Sequence, residues 1–496
     1  MSYLRRAKCA AISLVLCSVA AQAQTGGLAT PAGQITAREE SAADEATWRE
    51  AVKDLEKSGT ITARLVIALN GLGSSLRAQS RYDEAEQAYL RARDACEKSA
   101  LAGTSAMAAT LTNLGTLYHE QSHFAEAEKS YLDALAIWNK QNQSHPDIAA
   151  TLNNLCALYS DKNDYKQAEA FCLQAHERRR LLNGPDHPDT ARALVNLGVL
   201  YVLQARYTDA ERTYTQALEI LQKSCGPDDD RLAAVRNNIA QLYHARGKLV
   251  EAERLFRQTL SSSEKRFGSG HPSVAVVLNN LAAVYRDEGK YSESERLFRR
   301  ALAIREQTLP PNDPAIATAL NNLALLWKRN GRLQEAEALY RRALAIQRET
   351  YGTDHTLIAT TLNNLGHLAS SQGDYVEGQR LLTEALEMFQ RVAGPDHPGV
   401  ADSAQNLAVL YFKAGRPALA EPLFQRALQI YAKSGGAYYK SVACLQNYAY
   451  FLTKENRKKE AAARQSEANA LLAQHRGDDA AQYTVDVVEL LKLGFR

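Results

Sequence analysis

Cysteine is scarce in this chain of 496 residues, and the few present form no framework. Seven occur, of which Cys9 and Cys17 lie in the first 23 residues. The other five, Cys96, Cys156, Cys172, Cys225 and Cys444, are odd in number and scattered, which argues against a disulfide-stapled fold. Only Cys156 and Cys172 fall in one repeat unit. Cys156 sits in a small-residue slot whose natural opposite is Ala168, one helical turn from Cys172, and one turn is about 5.4 Å. The two thiols are therefore expected to be badly aimed for a bridge. All five read as buried thiols packing as small apolar groups.

Excess charge of either sign is also missing. Lys and Arg number 59 against 56 Asp and Glu, and the first 23 residues carry three of the basic ones and no acidic one. The remainder is balanced at 56 of each. That balance gives no ground for nucleic acid or an anionic membrane surface as partner. No apolar run approaches the roughly 20 residues of a membrane span. There is no G-x-S-x-G, no H-E-x-x-H and no phosphate-cradling glycine loop between a strand and a helix. Nothing therefore points to an enzyme or to a bound cofactor.

Residues 1–23 read as an export signal. Arg5, Arg6 and Lys8 form a basic head, Ala10–Ala20 a short apolar core, and Ala21-Gln22-Ala23 a cleavage site before Gln24. Arg5-Arg6 resembles a twin-arginine signal, but its flanks fit poorly. Leu16 before Cys17 breaks the lipoprotein pattern, which requires a small residue there. The expected location is periplasmic or secreted, after cleavage near Ala23-Gln24.

What the chain does have is a repeat. A mid-helix Asn recurs at Asn113, Asn154, Asn196, Asn238, Asn280, Asn322, Asn364, Asn406 and Asn447. An earlier copy places Asn70-Gly71 in the same register, making ten units. A period of about 42 residues, held almost without slippage, marks a solenoid. Each unit reads as two helices. Around Asn322, Ile316, Leu320, Leu323, Leu326 and Trp327 form one apolar stripe, Asn330-Gly331-Arg332 breaks it, and Leu333, Ala336, Leu339, Tyr340, Ala343, Leu344 and Ile346 form the next. Small residues mark the helix crossing: Gly115, Gly198, Ala240, Ala282, Ala324 and Gly366 in first helices, Ala127, Ala168, Ala210, Ala252 and Ala336 in second helices. One unit cannot bury its own stripe, so neighbours must cover it.

Leu followed by Gly or Ala, an aromatic three residues on, and small, aromatic and small residues in the second helix resemble the tetratricopeptide repeat. The length of each unit and the loop Gly-Pro-Asp-His-Pro at 184–188 and 394–398 resemble its kinesin-light-chain type. The resemblance covers roughly residues 60–475. It implies an all-α fold, a right-handed α-solenoid superhelix of about ten helix-turn-helix units with terminal capping helices. The expected organisation is a signal peptide at 1–23, a flexible lead-in at 24–45, a capping helix at 46–59 on Trp48, Val52 and Leu55, the array at 60–476, and a capping segment at 477–496.

Two constellations invite chemistry and receive structural readings. His145, His187, His271, His355 and His397 share one register. Stacked units lie about 10 Å apart, whereas one zinc ion needs its ligands at about 2.0–2.1 Å. These residues belong to turns in which Gly184 ends a helix, Asp186 or His187 caps the next, and Pro188 enters its first turn. No metal is expected. The pairs Glu126/Glu128, Glu251/Glu253 and Glu335/Glu337 open second helices, where acidic residues complement the dipole.

The asparagines carry the functional expectation. The first of each pair (Asn153, Asn237, Asn279, Asn321, Asn363) is expected to satisfy groups between layers. The second, Asn113, Asn154, Asn196, Asn238, Asn280, Asn322, Asn364 and Asn406, is expected to face a concave groove. Its amide matches the donor and acceptor of a peptide bond, and in the family this chain resembles that Asn grips peptide backbone. Specificity is expected from Arg192, Arg236, His244, Arg286, Lys328, Arg329 and Lys413. These favour an acidic or carboxylate-bearing partner, although Lys328-Arg329 also suits a helix C-terminus. The resulting expectation is a non-enzymatic scaffold or adaptor that binds a protein or an extended peptide. A chain that self-associates end to end through its terminal repeats is the alternative, and a regulatory subunit of an envelope enzyme stands behind it.

Overall fold

The computed structural model describes residues 45–57, 61–141, 145–204, 206–224, 229–434 and 438–474. The expected export signal, lead-in and C-terminal cap, and Cys225, lie outside the described residues. Helix α1 covers 45–57, and ten helix pairs follow. They are α2 (Ala63–Ala78) and α3 (Tyr82–Glu97), α4 (Ser105–Glu120) and α5 (Phe124–Gln141), α6 (Pro146–Asp161) and α7 (Tyr165–Asn183), and α8 (Pro188–Leu203) and α9 (Tyr207–Ser224). Next come α10 (Asp230–Ala245) and α11 (Leu249–Phe267), α12 (Pro272–Asp287) and α13 (Tyr291–Thr308), and α14 (Pro314–Arg329) and α15 (Leu333–Tyr351). The last pairs are α16 (Thr356–Gln372) and α17 (Tyr375–Ala393), α18 (Pro398–Lys413) and α19 (Pro417–Ser434), and α20 (Tyr438–Lys454) and α21 (Lys458–Gln474). The array is a stack of helix hairpins, with no strand among the described residues.

The helix boundaries follow from local chemistry at two registers. Between units, the His Nδ1 accepts the N–H two residues on at His145, His187, His271, His355 and His397, at 3.0 to 3.3 Å. Asp229 and Asp313 take the same position and cap through a carboxylate oxygen. The turn reading of the five histidines therefore holds, and the cap is His itself. Within units, the turn needs a positive φ. Ser80, Ser122 and Asn163 adopt it in the early units, whereas Gly247, Gly289, Gly331, Gly373 and Gly415 adopt it without the steric cost of a Cβ.

Packing within each hairpin rests on a slot and a plug sixteen residues apart. A Cβ added to Gly73, Gly115 or Gly198 would lie 2.4 to 2.7 Å from the ring of Tyr89, Tyr131 or Tyr214. In later units Ala240, Ala282 and Ala324 stand in the slot and Phe256, Phe298 and Tyr340 are the fully buried plugs. This register corrects the cysteine expectation. Cys156 is the slot of the third unit and Cys172, not Ala168, is its plug. The two form a disulfide with Cα atoms 5.2 Å apart, within the range a bridge requires. Cys96 and Cys444 are free and buried, as expected.

At the N-terminal end α1 covers the first unit. Val52 is buried and the Trp48 ring lies against Gly71. The first helices of successive units touch one another, from α2 with α4 through α12 with α14, and α16 with α18 and α20, more closely than second helices do. The stack therefore curves with its first helices inside.

The curvature is tight enough for the coil to meet itself. His355 Nε2 donates to the Glu120 carbonyl at 2.9 Å, and the Ser122 and Thr356 hydroxyls bond at 3.1 Å. Tyr82 stacks on Tyr351 with ring centroids 5.9 Å apart, and Tyr351 stacks on His355 at 3.8 Å. One unit further along, His397 engages the Asp161 backbone, and Ala393 packs on the cluster of Phe124, Tyr131, Leu155 and Leu158. Tyr438, Tyr439, Val442 and Leu445 join the cluster built around Leu194, Leu200 and Tyr214. The turn inside an early unit thus meets the loop between two much later ones, Glu120 and His355 being 235 positions apart in the chain. The described array makes more than one turn, and its turns form a seam.

Candidate functional site

The inner face is built from the adjacent asparagines and from the last turn of each first helix. Adjacent helical residues diverge by about 100°, so one amide of a pair points to the preceding layer and the other to the following one. Asn113 Nδ2 donates to Asn70 Oδ1 at 3.3 Å, Asn280 to Asn237 at 3.1 Å, Asn322 to Asn279 at 2.8 Å and Asn406 to Asn363 at 3.0 Å. The first asparagines extend this stitching: Asn70 and Asn321 donate to Thr110 and Thr361 of the next layer. The expectation for the first Asn holds at Asn237, Asn279, Asn321 and Asn363, whereas Asn153 Oδ1 is buried without a hydrogen-bond partner.

The expectation for the second Asn is corrected in part. Asn280 and Asn322 are each 2 % exposed, Asn238 and Asn364 are buried, and Asn113 and Asn406 have a donor committed to the layer below. Close approach of the first helices buries the amides of Asn238, Asn280, Asn322 and Asn364 between layers, away from the channel they were expected to face. Each such bond contributes about 0.5–1.5 kcal/mol net, and losing one partner of a buried bond costs about 1–3 kcal/mol. Asn154 and Asn196 are half-buried on the same wall.

About two turns further along, charged rungs join the layers. Arg77 pairs with Glu120, His119 Nε2 donates to Asp161 Oδ2 at 2.8 Å, and His244 Nε2 donates to Asp287 Oδ2 at 2.8 Å. Arg329 Nη1 reaches Asp287 Oδ1 at 2.9 Å, and Arg286 Nε reaches the same oxygen at 3.2 Å. Burial alone would raise the Asp287 carboxyl, but Arg286, the His244 bond and Arg329 hold it well below the usual carboxylate range. Two of the expected specificity residues are withdrawn from any groove. His244 and Arg286 are buried and paired with Asp287; Arg192, Arg236, Lys328, Arg329 and Lys413 are half-buried. Arg192 also lies 3.5 Å from Asp189. Lys328, with burial and Lys413, pushes His367 well below its ordinary pKa, so the two lysines share one neighbourhood of the inner face.

An outer ladder escaped the sequence reading. Tyr118, Tyr159, Tyr201, Tyr243, Tyr285 and Tyr448 donate their hydroxyls to Glu86, Glu128, Glu169, Glu211, Glu253 and Glu421 of the preceding second helix, at 2.6 to 3.1 Å. Glu128 and Glu253, the second members of two of the acidic pairs, therefore bond the next layer besides facing a helix dipole. The available signal was a Tyr at a fixed offset of 32 from Glu86, Glu169, Glu211 and Glu253.

Comparison with known proteins bears on the stack as a whole. The tetratricopeptide-repeat pattern matches residues 64–140, 147–223, 231–307, 315–377 and 357–433. The chain belongs to the tetratricopeptide repeat family. Three solved structures are similar to this tetratricopeptide solenoid. One is a kinesin light chain from Podosopora anserina with nearly identical repeats, 26 % identical over 40 % of this chain and 95 % of that one, TM-score 0.35. Another is BtubC (BKLC) from P. vanneervenii, 25 % identical over 47 % and 92 %, TM-score 0.39. The third is a Rap protein complexed with Competence and Sporulation Factor, 14 % identical over 75 % and 99 %, TM-score 0.52, a likeness of fold. No curated protein matches the chain.

A tetratricopeptide solenoid of this kind is a protein–protein interaction scaffold, in a family whose fold is generally non-catalytic. Among the described residues no helix is long and apolar enough to cross a membrane, and no group of three His, Cys, Asp or Glu side chains is placed to hold a metal ion.

Proposed function

We propose that this solenoid is an exported scaffold that takes an acidic segment of a partner protein against the cationic part of its inner face. The observation that carries the reading is the charge of that face in its later units. Arg286, Lys328, Arg329 and Lys413 stand on consecutive or near-consecutive first helices, with Asp287 as the one acidic residue in the same register from α12 to α18. A net positive field from three of these four layers favours an acidic segment and speeds its encounter. The early units are balanced instead, through Arg77 with Glu120 and His119 with Asp161. Export is supported by the Cys156–Cys172 disulfide, since such bonds persist in oxidising compartments.

The test is binding of extended peptides of graded acidity to the mature chain and to a Lys328→Glu, Lys413→Glu variant. Acidic peptides are expected to bind more tightly than neutral ones, to weaken as salt rises, and to lose affinity in the variant. Equal affinity of both proteins for acidic peptides sinks the proposal.

A further inference from the structure

Among the described residues, the inner rungs with a titratable residue at both ends follow a rule that is broken once. A residue in the last turn of one first helix meets its counterpart in the next layer, and the charged rungs join a base to a carboxylate: Arg77 to Glu120, His119 to Asp161, His244 to Asp287. Between the third and fifth units the same positions are Ser160 with Leu203 and Val202 with Ala245, which need no partner. Between the sixth and seventh units the rung is Arg286 with Arg329, two cations.

Both guanidiniums lean on Asp287 Oδ1, so the groups lie close together around one carboxylate that already accepts from His244. Two fixed positive charges thus share one negative charge. Arg286 is 1 % exposed and its Nη1 has no hydrogen-bond partner; Arg329 Nη2 is buried and has none either. The Tyr340 hydroxyl, within the field of both arginines, is likewise buried and without a partner. In the first unit the equivalent Tyr89 bonds Ser74, but the matching position before Tyr340 is Leu325. Arg329 is held below its ordinary pKa by burial and then by repulsion from Arg286. An uncompensated buried charge is among the most costly features a fold can carry.

We propose that this rung is a site for one small anion of chloride size, held by Arg286 and Arg329 on their sides away from Asp287, with the Tyr340 hydroxyl as an additional donor. Small size follows from the burial of the donors, which leaves no passage for a peptide main chain. This goes beyond the acidic-segment reading, whose test rests on Lys328 and Lys413, and neither lysine takes part in the anion site.

The experiment has two arms. In the first, the thermal midpoint of the mature chain is followed as sodium chloride replaces sodium gluconate at constant ionic strength. The midpoint should climb and then saturate, as it does when a ligand binds the folded state alone. Arg329→Gln, which leaves Asp287 paired with Arg286 and His244, should abolish the climb. Tyr340→Phe should raise the half-saturating chloride about tenfold, the loss of one hydrogen bond to a charged group. In the second arm, crystals grown in sodium bromide should show anomalous density within hydrogen-bond distance of Arg286 Nη1 and Arg329 Nη2. A midpoint indifferent to chloride, an equal response in Arg329→Gln, or no bromide peak at the rung each overturns the proposal. If Arg329→Gln does not fold, Tyr340→Phe and the bromide crystals decide.

Discussion

Acid should open the seam where His355 meets Glu120 before it unfolds the solenoid. Both ring nitrogens of His355 are engaged as a neutral ring: Nδ1 accepts from Leu357 N–H at 3.0 Å and Nε2 donates to the Glu120 carbonyl at 2.9 Å. Protonation destroys the acceptor at Nδ1 and puts a charge on a residue 4 % exposed. Burial lowers its pKa from 6.5 to about 4, with His123 adding to the effect and the Glu120 bond opposing it. A folded-state value below the free one means that the open state binds the extra proton. The stabilisation is complete above pH 6.5 and drains away as pH falls toward 4. At about 1.36 kcal/mol per unit the full loss is about 3 kcal/mol, and about 2 kcal/mol is gone by pH 5. His397, lowered to about 4 by burial and then by Lys440, works in the same direction. Carboxylates held low by their partners, such as Asp287 and Glu128, keep their contribution until lower pH, which leaves pH 6.5 to 5 as the informative window. Amide hydrogen exchange of peptides spanning 118–124 and 351–357 reads the opening locally. In wild type both peptides should lose protection across that window while helix interiors keep theirs. His355→Asn caps Leu357 without titrating and should flatten the response. Undiminished protection of wild type at pH 5, or the same loss in His355→Asn, refutes the argument.

Other substitutions have defined outcomes. Asn322→Ala strands the buried Asn279 acceptor and should cost about 1–3 kcal/mol in chemical denaturation; a neutral result would mean that the amide is not a layer bond. Reduction, or Cys172→Ser, should lower stability by about 3 kcal/mol, the effect of opening a loop of this size, since the bridged residues lie 16 apart. Alkylation of the unreduced, unfolded protein should leave Cys156 and Cys172 unlabelled. Gly115→Ala puts a methyl 2.7 Å from the Tyr131 ring and should cost about 1–3 kcal/mol by overpacking, read as a lower thermal midpoint.

Much of the fold was written in spacing. The period, the helix breaks at Gly331 and its equivalents, and the His187-type turns follow from local chemistry that recurs in unit after unit. Other features escaped because period alone does not say where a side chain points. The Asn pair marks the inner wall correctly, yet a step of about 100° between neighbours decides whether an amide faces a channel or the next layer. Residue size alone pairs Cys156 with the small Ala168, whereas Gly73 with Tyr89 and Gly198 with Tyr214 imply a partner sixteen residues on. The seam of Glu120 with His355 depends on superhelical curvature, the sum of small rotations over more than five units, and no single motif encodes it.

A coil whose successive windings touch resembles a closed spring more than an open trough. A guest broader than the bore can reach the interior only through an end or after the windings part. The work of parting them is then subtracted from every contact made inside, weakening the apparent affinity by the fraction of molecules already sprung open. Conditions that loosen the Tyr82–Tyr351 and Glu120–His355 contacts would tighten such binding without altering one residue that touches the guest.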